Sequence, residues 1–183
     1  MIWFFTPYSW DKKLFEAWDQ YMDLVKNPED WVCMMDGDVL FLLADFGHQM
    51  QQYIDKYPDS GLLTTYASRA HRNEYIRKGC DENNPSILYH YDNAVKCHKT
   101  LHLQVKPLQK PALGHVILIK KSTWLKIRDR VAQLTSDAKI LGVDVRISRA
   151  IAELGMPQLL MRGIYVLHYF RFKHGKNQRD ILL

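Results

Sequence analysis

Residues 31–42 read WVCMMDGDVLFL, an apolar run that stops at two carboxylates and then resumes. A short continuous apolar run is typical of a strand buried on both faces of a sheet. Asp36 and Asp38 follow this run, and residues i and i+2 of an extended chain point to the same side. Gly37 between them lets the backbone turn sharply and lets a ligand approach closely. The stretch therefore predicts a buried strand that ends in a pair of neighbouring carboxylates.

The residues before this stretch predict one more strand and a helix. Residues 2–6 are a strand-like apolar run that Pro7 ends, and apolar residues recur at helical spacing from Leu14 to Val25. Strand, helix and strand within roughly 35 residues form a βαβ unit, which places two strands parallel in one sheet. The predicted fold class is therefore α/β, with a mixed, mostly parallel sheet that is flanked by helices.

The remaining sequence continues this alternation of strands and helices. Strands are predicted over residues 61–66, 113–120 and 163–169, and helices over residues 46–57, from Thr123 after a Ser122 cap, and through residues 147–154. Residues 67–111 are predicted to be loops with one or two short strands. His98 and His102 in this part are interpreted as surface or core histidines on a non-helical segment. We find no linker or repeat, so residues 1–183 are predicted to form a single domain.

Composition and charge narrow the class of protein. The chain has 183 residues and a net charge of +5, and this basic excess favours an anionic partner such as a nucleotide diphosphate, a nucleic acid or a membrane surface. No apolar run approaches the roughly 18 residues of a membrane helix, and the first residues lack the features of a signal peptide. Three cysteines are too few for a disulfide framework or a zinc site. We therefore expect no transmembrane segment and a cytoplasmic location.

The two carboxylates indicate a metal site. Asp36 and Asp38 repel each other unless a cation lies between or near them, and Mg²⁺ or Mn²⁺ keeps coordination positions open for phosphate oxygens. The alternative is a turn at the end of a strand with solvated carboxylates.

The same residues resemble the Asp-x-Asp region of GT-A fold glycosyltransferases of the family 2 type. In that family, a helix with an Ala-aromatic-Asn/Asp pattern precedes the Asp-x-Asp strand, and residues 16–19, Glu-Ala-Trp-Asp, match it. The resemblance implies a GT-A-like (Rossmann-like) fold and a nucleotide-sugar donor whose diphosphate is held by Mn²⁺ or Mg²⁺ on Asp36 and Asp38. Only 35 residues precede Asp36, so the chain resembles a short form with an abbreviated N-terminal nucleotide-binding half.

Two later segments carry the resemblance further. Asp144, at the start of a predicted helix, matches the acidic residue that acts as general base in inverting members, whereas the residue taken without the resemblance is better explained as a helix N-cap. His168, after the last apolar run, matches the third metal ligand, and the alternative is a core histidine.

The resemblance also implies roles at the two ends of the donor and at the acceptor. Thr6, Pro7 and Tyr8 would receive the nucleoside, and Arg171 would neutralise the leaving diphosphate. His115 and Trp124 are candidates for acceptor contacts. Packing, turn formation or a solvated tail would explain the same residues without a ligand.

We therefore predict a metal-dependent, inverting glycosyltransferase. The sequence does not specify the acceptor, which could be a glycan, a lipid-linked molecule or another compound, and it does not specify the oligomeric state. We do not expect nucleic acid as a partner. A sugar-phosphate nucleotidyltransferase is one alternative, although residues 6–9 lack the glycines of its usual phosphate-binding loop. A non-catalytic module that binds a nucleotide or a polyanion is the other.

Overall fold

The computed structural model describes residues 1–11, 13–137 and 142–169. The strands in these ranges are β1 (Ile2–Phe5), β2 (Trp31–Met35), β3 (Val39–Phe41), β4 (Leu62–Ala67), β5 (Val105–Pro107), β6 (Val116–Lys120) and β7 (Gln158–His168). The helices are α1 (Leu14–Leu24), α2 (Phe46–Lys56), α3 (Ile87–Leu101), α4 (Lys121–Asp137) and α5 (Val143–Glu153). The predicted strand at residues 31–35 and the βαβ unit that β1, α1 and β2 form are thus confirmed.

The strands form one mixed sheet in the order β1-β2-β6-β4-β7-β3, with β5 also paired to β7. The pairs β1–β2 and β4–β7 are parallel, and the other four pairings between these strands are antiparallel. The α/β class is therefore confirmed, but the prediction of a mostly parallel sheet was wrong. The reason is topological, because β6 runs against both of its neighbours and β3 and β5 both run against β7.

The apolar residues of β2 pack to both sides of this sheet. Val32 and Met34 join a core cluster with side chains of α1, α4 and α5. Trp31 and Cys33 face the other way, into a cluster with α2. All four side chains are 5% exposed or less. The continuous apolar run is thus explained by burial on both faces, as the sequence predicts.

Helix α3 is the main difference from the sequence-based prediction. Residues 87–101 are helical, and the Ser86 hydroxyl caps them by accepting a hydrogen bond from the Tyr89 N–H at 3.3 Å. His98 lies in this helix and His102 is its C-cap, with 4.8 Å between the ring centroids. The interpretation of these histidines as non-helical was therefore wrong. The error arose because nearby proline was taken as a loop signal, although proline before a serine cap is compatible with a helix start.

For two later helices, the predicted start of α4 was wrong and the predicted end of α5 is confirmed. Helix α4 begins at Lys121, so Ser122 lies inside it and is not its cap. Helix α5 ends before Gly155, whose φ of +68° is the left-handed conformation that glycine adopts most easily. Among the described residues, no helix combines the length and the apolar character needed to cross a bilayer.

Candidate functional site

A tight turn follows β2 and presents the two carboxylates. The Asp36 N–H donates to the His115 carbonyl at 3.2 Å, which continues the pairing of β2 with the segment before β6. The Val39 N–H then donates back to the Asp36 carbonyl at 3.2 Å, so residues 36–39 turn and lead into β3. Asp36 and Asp38 therefore stand at the carboxyl end of a buried strand, where α/β sheets bind their ligands.

The pairing of β3 with β7 brings a histidine to these carboxylates. In this antiparallel pair Val39 lies opposite His168, the last residue of β7. The Tyr169 N–H donates to the Asp38 carbonyl at 3.0 Å and holds the two segments together. Residues about 130 positions apart in sequence thus become neighbours through strand register.

Asp36, Asp38 and His168 form a group that could hold a metal ion. One potential ligand atom from each lies within 4.8 Å of the others. His168 Nε2 is 3.3 Å from Asp38 Oδ1 and 3.7 Å from Asp36 Oδ2. The histidine is buried, whereas about half of each carboxylate side chain is exposed (50% for Asp36 and 45% for Asp38). The group is therefore built on a buried nitrogen and opens to solvent through its carboxylates.

The surroundings of His168 fix which ring nitrogen faces the carboxylates. Its Nδ1 lies 2.9 Å from the Arg69 carbonyl, so Nδ1 carries the proton and donates it there. Nε2 is then left as the atom that can bind a metal in the neutral ring. The Ser68 hydroxyl accepts from the His168 N–H at 3.0 Å and donates to the His168 carbonyl at 3.2 Å. Ser68 and Arg69 follow β4, and sequence reasoning missed both.

Electrostatic interactions within the group are strong. Burial and the neighbouring Asp38 and Asp144 carboxylates raise the pKa of Asp36, while His168 partly opposes them. The hydrogen bond with His168 lowers the pKa of Asp38. Burial disfavours the charged form of His168, but Asp38, the Arg69 carbonyl and Asp36 outweigh it and raise the pKa of the ring. The raised pKa of His168 favours the protonated ring, which would offset part of the negative charge of the two carboxylates.

A third carboxylate, that of Asp144, lies across a glycine from this group. Asp144 is in the first turn of α5, and the N-cap of that helix is Gly142. The point where a Cβ on Gly114 would stand is 3.7 Å from Asp144 Oδ2 and 3.7 Å from Asp36 Oδ1. The Asp36 and Asp144 carboxylates are thus no more than twice that distance apart. Asp144 is not the N-cap residue, but its carboxylate accepts hydrogen bonds from the N–H groups of Val145 and Gly114 and so also connects the start of α5 to the segment before β6.

The environment of Asp144 is more apolar than its place at a helix start suggests. Burial raises the pKa of Asp144, and the N–H groups of Val145 and Gly114 oppose this only in part. A helix N-terminus lowers the pKa of a nearby carboxyl group, but burial outweighs this effect at Asp144. A carboxyl group whose pKa is raised is better suited to accept and hold a proton than one at its usual value.

Two of the three carboxylates, those of Asp36 and Asp144, line an open cleft of about 240 Å³, and Asp38 is not among its lining residues. Residues from several elements line it: Leu14, Trp18, Asp36, Ala70, His71, Leu113, Gly114, His115, Gly142, Val143, Asp144 and His168. Leu14, Trp18 and Val143 supply apolar surface to the cleft, and the lining also includes the polar side chains of Asp36, His71, Asp144 and His168. The cleft therefore offers both charged and stacking surfaces to a ligand, as small-molecule sites usually do.

The two candidates for acceptor contacts lie in different places, one in the cleft and one in the core. His115 lines the cleft and stacks on His168 with 5.8 Å between the ring centroids. Burial lowers the pKa of His115 to about 4, so the ring is neutral at pH 7, and its Nε2–H donates to the Thr65 carbonyl at 3.0 Å. Trp124 is on α4 and is completely buried against α1, where its Nε1–H donates to Asp19 at 3.3 Å. The assignment of Trp124 to the acceptor site was therefore wrong.

The predicted donor residues lie beside the carboxylate turn or outside the described chain. Thr6 Cγ2 is 3.5 Å from the place that a Cβ on Gly37 would take, so the segment after β1 adjoins the turn. Pro7 is half-buried, and Tyr8 is 78% exposed. Arg171 lies outside the described residues. The roles of these residues at a donor remain predictions.

We compared the sequence with protein-family models and with curated proteins. No protein-family model matches the sequence, and no curated protein matches it significantly. The class of protein therefore has to be inferred from the site itself.

Proposed function

We propose that the chain is a metal-dependent glycosyltransferase with a GT-A-like fold, which transfers a sugar from a nucleotide-diphosphate donor to an acceptor hydroxyl. The convergence of Asp36, Asp38 and His168 beside the separate, half-buried carboxylate of Asp144 carries this proposal. Metal-held phosphate and a free base are the two elements that such a transfer needs.

The donor set fits Mn²⁺ or Mg²⁺. Two carboxylates and one imidazole nitrogen are ligands that these ions accept, and His168 already has the hydrogen-bonded Nδ1 that a metal-bound histidine usually shows. Asp36, Asp38 and His168 would hold the ion, and three protein ligands leave positions for phosphate oxygens. When bound, the metal would neutralise charge on the diphosphate leaving group.

Asp144 is the residue that we assign as general base. It lines the same cleft as Asp36 but belongs to a different wall, on α5. An acceptor hydroxyl between them would give its proton to Asp144 as its oxygen bonds to the anomeric carbon, and the bond from that carbon to the diphosphate oxygen would break. Attack from the side opposite the leaving group inverts the anomeric centre, so this arrangement favours inversion.

The proposal also concerns the cellular setting. All three cysteines, Cys33, Cys80 and Cys97, are free thiols, and the first and last are buried. Free thiols suit a reducing compartment, and we propose the cytoplasm.

The test is a comparison of transfer and donor binding in one substitution. Wild-type protein with Mn²⁺ is screened against nucleotide sugars for release of nucleoside diphosphate. Asp144→Asn keeps the size of the side chain and removes its basicity, so transfer should fall at least about 100-fold while donor affinity stays within about twofold. Asp92→Asn, an exposed site on α3, is the matched control and should behave as wild type. Transfer by Asp144→Asn at a wild-type rate would contradict the assignment of the base.

A further inference from the structure

A second cleft lies at the end of the sheet opposite to the candidate metal group. Its volume is about 460 Å³. Polar residues around the start of α4 line it: Lys120, Ser122, Thr123 and Lys126. In the pairing of β2 with β6, Lys120 lies opposite Trp31, which is five residues before Asp36. At a rise of about 3.3 Å per residue, roughly 16 Å separate the second cleft from the carboxylate turn, so the two are different sites.

The start of α4 leaves a backbone N–H group without an acceptor. The Lys121 N–H donates to the Asp30 carbonyl at 2.8 Å. The Ser122 N–H donates to the Pro28 carbonyl, also at 2.8 Å. The N–H of Thr123, the third residue of the helix, has no acceptor within the described part of the chain. An unpaired N–H group in the first turn of a 17-residue helix carries part of the positive end of the helix dipole and attracts an anion.

The side chain of Thr123 adds a second donor beside this N–H group. Thr123 is 3% exposed and lines the second cleft, so the little surface that it keeps belongs to this cleft. Its hydroxyl forms no hydrogen bond to any described residue, and the hydroxyl oxygen keeps contact with solvent. Hydroxyls on residues this deeply buried normally have a hydrogen-bond partner in the protein. Thr123 therefore offers two unpaired donors where a ligand can reach them.

Two lysines give the second cleft a basic character. Lys126 is exposed, lies one helical turn after Ser122, and forms no ion pair with a described residue. Lys120 pairs with the exposed carboxylate of Glu29, but an ammonium group has three N–H donors and keeps two for a ligand. The carboxylate of Asp59 also lines the cleft. Two ammonium groups and the helix start outweigh this single carboxylate.

We propose that the second cleft binds a phosphate group at the start of α4. The N–H and the hydroxyl of Thr123 donate to its oxygens, and the ammonium groups of Lys120 and Lys126 neutralise its charge. A helix start combined with hydroxyl and lysine donors suits phosphate, because phosphate oxygens accept several charge-assisted hydrogen bonds at once.

The rest of the lining indicates that the phosphate is part of a larger molecule. Three apolar residues complete it: Pro58, Leu154 and Met156. Leu154 is 46% exposed and can contact an apolar group. A cleft of about 460 Å³ is in the size range of small-molecule sites, so the ligand is a phosphate ester, either soluble or in a lipid headgroup. This site does not depend on the proposed transfer reaction.

The test uses protein freed of metal on a chelating resin and titrates inorganic phosphate by calorimetry. Thr123→Val removes the hydroxyl and keeps the shape of the side chain, so the affinity for phosphate should fall at least about tenfold. Lys126→Gln changes an exposed residue that folding does not need and should also weaken binding about tenfold. Asp38→Ala should bind phosphate as wild type, which separates this site from the candidate metal group.

The matched controls are Thr100→Val and Lys99→Gln, both at exposed positions of α3, and both should keep wild-type affinity. Cosedimentation with phosphatidylcholine vesicles, with and without phosphatidic acid, identifies the source of the phosphate. Binding that needs phosphatidic acid and is lost in Thr123→Val indicates a lipid headgroup, whereas a Thr123-dependent affinity for inorganic phosphate alone indicates a soluble ester. The proposal is overturned if wild-type protein binds neither inorganic phosphate nor phosphatidic acid, or if Thr123→Val binds them as wild type does.

Discussion

Gly114→Ala should raise the stability of the fold and lower the transfer activity. The added methyl would lie 3.7 Å from Asp36 Oδ1 and 3.7 Å from Asp144 Oδ2, which are ordinary contact distances. It would therefore displace no protein atom, and Gly114 has no left-handed φ that alanine would strain. The substitution should stabilise the fold by about 0.4–1 kcal/mol, since alanine restricts the unfolded chain.

The same methyl would occupy space between the carboxylate of the metal group and the proposed base. A methyl group needs roughly the volume of one water molecule, about 30 Å³, in a cleft of about 240 Å³. The acceptor oxygen would be displaced by about 1 Å or more, and a displacement of that size costs on the order of 100-fold in rate. We therefore expect kcat/KM for transfer to fall about 100-fold, equivalent to about 2.7 kcal/mol of transition-state stabilisation.

The assay combines urea unfolding with transfer kinetics, and Gly47→Ala is the matched control. Gly47 is in α2, and a Cβ there would have no neighbour within 4 Å. This variant should gain stability by a similar amount and keep full activity. Full transfer activity in Gly114→Ala would show that no reacting group passes between Asp36 and Asp144, and the mechanism would have to be abandoned.

Two other substitutions test single contacts. His168→Ala should weaken Mn²⁺ affinity more than about tenfold, measured by calorimetry, because it removes the buried ligand; an unchanged affinity would show that the histidine only fills space. Gly61→Ala should destabilise the fold by about 1–3 kcal/mol in urea, because the new Cβ would lie 2.5 Å from Ile151 Cγ2 and 2.7 Å from Met156 Cβ. A wild-type unfolding midpoint for that variant would mean that α5 and its C-terminal turn shift easily.

The strongest local patterns in the sequence were sufficient to predict much of the sheet. The run at residues 31–35 is a strand over the whole predicted range, because burial on both faces requires continuous apolar character. Helix α3 was missed because its apolar face is short: Ala94 and Cys97 are buried, while Leu88 and Tyr91 are exposed. The directions of β3 and β6 depend on which strands pair across long sequence separations, and periodicity carries no such information.

The candidate site likewise contains some residues that a local pattern predicts and others that only tertiary contacts bring together. The Asp-Gly-Asp turn is a local feature, and its spacing suffices to predict two neighbouring carboxylates. His168 and Asp144 were singled out only through a family resemblance, since their distance from Asp36 depends on the register of β7 and on the packing of α5. Ser68 and Gly114 carry no sequence pattern of their own. Their roles come entirely from tertiary contacts, namely the support of His168 and the gap between carboxylates.

Binding of a metal–diphosphate complex by Asp36, Asp38 and His168 can be measured by thermal shift. Wild-type protein is heated with Mn²⁺ and a nucleoside diphosphate, together and separately, alongside Asp38→Ala and the exposed-site control Asp92→Ala. Ligands that bind the native state raise the melting temperature, by an amount that corresponds to about 2.7 kcal/mol at 100 times Kd. With both ligands present, we expect the melting temperature to rise for wild type and for Asp92→Ala and to stay unchanged for Asp38→Ala. An equal rise in Asp38→Ala, or no rise in wild type with any nucleoside diphosphate, would contradict it.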